Sequence, residues 1–178
     1  NLRGSGFAAR DFMERPLNAE VDGVPMSSTI RVTGLAGFLL AKVAAEARKL
    51  GAATMVSATD VTQPEAVAAC FRKAVKRFGA VDVVVNNAGV LIPSRVVDLR
   101  TADLQRMLDV NLIGALHVMQ EAVKEMRRQG RGHIVNIGSL AGRRGFSPLG
   151  GYSATKFALV GLTEALRSSA RRSAASAV

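Results

Sequence analysis

The hydrophobic pattern changes period several times along the chain, and each change predicts an element. Residues 1 to about 28 carry no sustained period and are expected to be poorly ordered or weakly docked. Thr29-Ile30-Arg31-Val32 is the first run suited to a strand, and Ala53-Thr54-Met55-Val56-Ser57-Ala58 is a second β-prone run, ending in polar Thr59-Asp60. Pro64-Glu65 then opens a helix whose apolar positions Val67, Cys70, Phe71, Val75 and Phe78 recur at three- and four-residue steps, and Gly79 ends it. Val81 to Val85 is apolar almost without interruption, which predicts a strand covered on both faces of a parallel sheet. Thr101-Ala102-Asp103 predicts the cap of a long helix carrying Leu104, Leu108, Leu112, Ala115, Met119, Val123 and Met126, broken by Gly130 and Gly132. His133 to Ile137 predicts another buried strand, and a last helix is expected from about Tyr152 to Arg167. The tail from Ser168 to Val178 is Ala, Ser and Arg and is expected to be disordered.

Strands separated by helices of this length form parallel βαβ units with right-handed crossovers. The expected fold class is therefore α/β, doubly wound but incomplete, with about three to four strands and flanking helices. The chain divides into a divergent segment 1–40 with a strand at 29–33, a core at 41–167, and the tail 168–178.

Composition narrows the class further. A chain of 178 residues, 48% hydrophobic and with 17 Gly against 5 Pro, suits one packed domain and excludes a collagen-like or disordered chain. Its single Cys forms no internal disulfide, which points to a reducing compartment and a cytoplasmic location. The run Leu35 to Ala41 is far shorter than the ~20 residues of a spanning helix, so no membrane partner is expected. The net charge of +10 raises nucleic acid as a partner, but the basic residues are spread through helical stretches and no aromatic side chains are interleaved to stack bases. No nucleic-acid partner is expected.

In open α/β sheets, ligands bind beyond the carboxyl ends of the strands. There the chain places Asp60-Val61-Thr62, Asn86-Asn87-Ala88-Gly89 and Gly138-Ser139-Leu140-Ala141-Gly142. Tyr152 follows Ser139 by thirteen residues, and Lys156 lies four beyond it on the same helix face. A free phenol is a poor proton donor or acceptor at neutral pH, and an ammonium one helical turn away favours the phenolate. A phenol so placed is suited to exchange a proton with an alcohol or carbonyl oxygen, and a serine hydroxyl to hydrogen-bond that oxygen.

On these residues the sequence resembles the short-chain dehydrogenase/reductases. Tyr152-Ser153-Ala154-Thr155-Lys156 matches that family's Tyr-x-x-x-Lys, Asn86-Asn87-Ala88-Gly89 its Asn-Asn-Ala-Gly, and Asp60-Val61 its acidic pair beside the adenine. The likeness covers roughly residues 42 to 167. It implies a Rossmann-like sheet and reversible hydride transfer between NAD or NADP and a small-molecule alcohol or ketone. It implies catalytic roles for Asn111, Ser139, Tyr152 and Lys156, with Asn111 holding a water in a relay to the lysine. It implies cofactor contacts from Asp60, Val61, Asn87, Ala88, Gly89, Tyr152 and Lys156, and no metal. It also implies a homo-oligomer formed through the helices at about 102–128 and 152–167.

The pattern departs from the family at both ends, as if truncated or rearranged. The family's first βα turn carries a Gly-x-x-x-Gly-x-Gly phosphate loop. Val32-Thr33-Gly34 resembles its start, but Phe38 and Leu40 stand where the next glycines belong, and the stretch from Gly34 to Asp60 is about one βα unit short. Two alignments remain: residues 1–40 replace the nucleotide-binding half with unrelated sequence, or Gly34 to Leu50 is a degenerate first helix. The first is preferred, because Ala44 to Ala52 leads into Asp60 as the family's third helix and strand do. The rival functional reading is a catalytically inactive remnant that retains the helix surface for association and binds no dinucleotide.

Overall fold

The computed structural model describes residues 29–32 and 47–175, with side chains described from 47 to 170. Expectations for residues 1–28 and for the Gly34–Leu40 turn lie outside the described residues. Three short strands form one parallel sheet in the order β1 (Thr29–Val32), β2 (Val83–Asn86), β3 (His133–Asn136). The register is regular: Val32 lies opposite Asn86, and Asn86 opposite Asn136. All three carboxyl ends therefore emerge on one edge. β1 pairs with β2 and lies within the strand expected at 29–33.

Helix α1 (Pro64–Phe78) crosses from the first edge toward β2, with Pro64 at its first turn and Gly79 closing it at φ 85°, a left-handed backbone that favours glycine. The long helix predicted from Thr101 is one continuous rod with an internal change of pitch. It consists of α2 (Thr101–Leu108), a π-helical segment (Asp109–Gly114) and α3 (Ala115–Gln129). Thr101 is its first helical residue and not its cap; Arg100 precedes it and pairs with Asp103 one turn on. Gly114 is the last residue of the π segment, and glycine suits it because a Cβ there would come within 2.6 Å of Val61 Cγ2.

Helix α4 spans Gly150–Ala175, longer at both ends than the expected Tyr152 to Arg167. The tail composition explains the extension: Ala and Arg are strong helix formers and no Gly or Pro interrupts them. At its start, Gly150 and Gly151 let Val96, Leu99 and Met107 approach closely; a Cβ on Gly150 would lie 2.6 Å from Val96 Cγ2.

The core lies between the sheet and α1, α3 and α4. Val84 of β2 meets Val61, Val67, Cys70, Phe71, Val81, Val118 and Ala122, with Ile134 of β3 packed against them. Cys70 is thus a packing residue. The buried stripe of α3 is Ala115, Val118, Met119, Ala122 and Met126, so Val118 and Ala122 replace the expected Val123, which is only half-buried.

Two expectations fail. Residues 53–58 form no strand; Met55 packs on the core, but the segment has no regular structure and Val56 is exposed. A strand needs a partner for its backbone groups, and the described sheet ends at β1. Nor is β2 covered on both sides by the described residues. Val84 and Asn86 are buried, whereas Val83 and Val85 are half-buried and Val135 on β3 is 44% exposed. No helix among the described residues is long and apolar enough to cross a membrane.

Candidate active site

The carboxyl edge of the sheet is held together by polar side chains that reach across long stretches of sequence. At the end of β2, Asn86 is buried, and its Nδ2 donates to the Ala115 carbonyl (3.1 Å) and to Asn136 Oδ1 (3.0 Å). Asn136 Nδ2 donates in turn to Thr163 Oγ1 of α4 (3.0 Å), and Thr163 donates to the Leu159 carbonyl. One line of hydrogen bonds thus joins α3, β2, β3 and α4. Amides at the ends of otherwise apolar strands were the signal that such a line exists.

Asn111 sits in the π segment and is 1% exposed. Its Oδ1 accepts from the Val90 amide (2.7 Å), and its Nδ2 donates to the Val90 carbonyl (2.9 Å) and to Thr155 Oγ1 (3.0 Å). The side chain therefore behaves as an extra strand residue clamping the loop that follows Asn87, Ala88 and Gly89. Both its amide protons are committed, so its side chain has no donor left to hold a water. Ala88 is buried beneath this loop, while Asn87 and Gly89 are exposed, and the Asn87 amide has no hydrogen-bond partner among the described residues.

Ser139 follows β3 and precedes a 3-10 turn (Leu140–Gly142). Its Oγ accepts from the Ala141 amide (3.1 Å), and no described group accepts its own proton. The turn presses on α4: a Cβ on Gly142 would lie 2.9 Å from the Lys156 carbonyl. Lys156 is buried, and its Nζ donates to the Ile137 carbonyl (2.7 Å) at the end of β3. That single contact leaves two ammonium protons for a ligand. Burial pushes the Lys156 ammonium below its ordinary pKa. Tyr152, one turn earlier and half-exposed, places its ring 5.8 Å from Nζ.

The structure therefore brings Tyr152, Lys156, the Ser139 turn, Asn111 and the Asn87–Gly89 loop to one edge. Asp60 and Val61 make no hydrogen bond to the Tyr152 turn among the described residues, although Val61 shares the core cluster of Ala88. The Asp60 carboxylate accepts from the Thr62 amide and hydroxyl (2.9 and 2.8 Å), which hold it below the usual carboxylate range. Val61 is a core residue with 1% exposure, and its carbonyl meets His117 Nδ1 at 3.0 Å. His117 is thereby given a structural partner. No metal-binding cluster of His, Cys, Asp or Glu occurs among the described residues.

The short chain dehydrogenase family model matches residues 27–175. A 3-alpha-(or 20-beta)-hydroxysteroid dehydrogenase of Mycobacterium tuberculosis is 46% identical over 105 residues, which are 59% of this chain and 40% of that protein. An NAD+-bound xylitol dehydrogenase superposes with a TM-score of 0.70 at 35% identity, over 71% of this chain and 49% of the other. A short-chain dehydrogenase/reductase from Burkholderia phymatum in complex with NAD gives 0.72 at 32% identity, over 75% and 48%. The chain spans less than half the length of each of these relatives. With its parallel βαβ core, its Tyr-x-x-x-Lys turn and a family match over most of its length, the chain belongs to the short-chain dehydrogenase family.

Proposed function

We propose that the whole protein catalyses reversible hydride transfer between a nicotinamide dinucleotide, NAD or NADP, and a small-molecule alcohol or ketone. The observation that supports this reading best is the convergence at one sheet edge of a half-exposed phenol, a buried ammonium and a serine with an uncommitted proton. The described part of the site suits the nicotinamide-ribose end of such a cofactor. Lys156 retains two protons for the ribose hydroxyls, and exposed Asn87 and Gly89 leave backbone and amide open to a flat ligand. When bound, the dinucleotide supplies or accepts the hydride.

The chain's own residues handle the oxygen and its proton. Ser139 donates its hydroxyl proton to the substrate oxygen, since no described group accepts that proton while the Ala141 amide orients the oxygen that bears it. Tyr152 gives a proton to that oxygen in reduction and takes it back in oxidation. The Lys156 ammonium stands 5.8 Å from the Tyr152 ring and is itself fixed by the Ile137 carbonyl. Asn111 acts one step away, by fixing Val90 and hence the Asn87–Gly89 loop. The roles of Asp60 and Val61 toward an adenine follow from the family pattern alone.

Association through the rod at 102–128 and the helix at 152–167 belongs to the same proposal. Leu116, Met119, Val123, Leu162, Ala165 and Leu166 line an apolar groove between α3 and α4. Sedimentation of the protein tests it, with a dimer or higher species expected. A cytoplasmic location rests on the single cysteine.

Titrating NADH and NADPH against the protein, followed by cofactor fluorescence, tests the central reading. Binding of at least one nucleotide below about 1 mM supports it. Failure of both would favour the inactive remnant.

A further inference from the structure

We infer that Thr155 is a positioning residue that couples the Asn87–Val90 loop to the Tyr152 turn. The inference rests on the reading of Tyr152 as the proton-exchanging group. Thr155 is the variable residue just before the lysine of the Tyr-x-x-x-Lys motif, and its side chain is fully buried. A hydroxyl has one proton to give and lone pairs to offer, and here both are used. Thr155 donates to the Tyr152 carbonyl (2.8 Å) and accepts from Asn111 Nδ2 (3.0 Å).

Asn111 in turn grips both backbone polar groups of Val90. The four residues form one chain: Val90, Asn111, Thr155, Tyr152. It runs from the loop after β2, through the π segment, to the first turn of α4, and its middle link, Asn111 to Thr155, is buried. Residues separated by 44 positions meet at the Asn111–Thr155 contact, so local helix geometry does not supply it.

The consequence is a shared constraint. Removing the Thr155 hydroxyl strands one buried amide proton of Asn111, and an unsatisfied buried donor is costly. Asn111 relieves it by turning toward another acceptor, which releases Val90. The cofactor-side loop then loosens together with the phenol's turn, although neither has been altered. A threonine that merely fills space would produce no such link.

The test compares Thr155→Val, Thr155→Ser and Thr155→Ala by amide hydrogen exchange at Val90, in the protein without ligand. Thr155→Val keeps the shape and removes the hydroxyl, and should speed Val90 exchange about tenfold. Amides of the α3 core at Val118 and Ala122 should stay unchanged. Thr155→Ser should restore protection. If Thr155→Val does not fold, the difference between serine and alanine isolates the hydroxyl. Unchanged Val90 exchange in the valine variant, or equal exchange in serine and alanine, overturns the inference. With cofactor and a carbonyl substrate, kcat should fall in Thr155→Val and recover in Thr155→Ser, with KM moving less. Absence of any turnover in the wild type would count against the proposed reaction while the exchange result still decides the coupling.

Discussion

The two sides of β2 and β3 share one backbone but not one environment. Val84, Asn86, Ile134 and Asn136 point into a core built by α1, α3 and α4, while Val83, Val85, His133 and Val135 face away from it. Parallel strands are commonly apolar on both sides because helices cover both. Here the described helices cover one. The packed side also carries long-range polar bonds of the site, among them Asn86 to Ala115 and Asn136, Asn136 to Thr163, and Lys156 to Ile137. Fold stability and site geometry therefore have the same source.

The contrast is sharpest at Asn86. Asn86→Ala leaves the Ala115 carbonyl and Asn136 without their donor inside the core, and should cost about 3 kcal/mol in urea unfolding. Val84→Ala on the same side should cost about 2 kcal/mol, because the atoms removed are fully packed. Val135→Ala on the open side should cost less than about 1 kcal/mol. Equal losses for the two valines would break the comparison.

Lys156 tests the same contrast through pH. Its burial lowers the folded-state pKa below the ordinary lysine value of the unfolded chain. Between those two values the unfolded state binds more protons, so stability rises with pH in that alkaline window. Lys156→Met should remove the rise, as read by unfolding midpoints across the alkaline range. The smallest effect belongs to Asp60, whose bonds are local and exposed. Its lowered pKa gives stability that is present above the unfolded value and lost as pH falls through the folded one. Asp60→Asn should change stability by no more than about 0.5 kcal/mol and should blunt that acid-side loss.

Much of this was legible along the chain. Helix α1, the 101–129 rod and strands β2 and β3 were marked by the spacing of Val67, Phe71, Met119 and Val84 among others, since those spacings are the burial pattern itself. Tyr152 and Lys156 share a helix face because four residues make about one turn. The missing strand at 53–58 was not legible, because β-prone composition says nothing about whether a neighbour is present to pair with. The π segment and the Asn111–Thr155 contact were hidden for a related reason. Both depend on which loop comes to lie beside the helix, and Val90 is 21 residues from Asn111. Helix α4 continues past the end of its apolar period because the helix propensity of alanine persists where the period stops.

The most direct measurement compares wild type with Tyr152→Phe in the whole protein, following oxidation of NADH or NADPH with a small ketone while measuring nucleotide affinity in parallel. Tyr152 is the only tyrosine in this chain, and the substitution removes a single oxygen. Turnover should fall by about 100-fold or more with nucleotide binding nearly unchanged. Turnover that survives the loss of that hydroxyl would contradict the account.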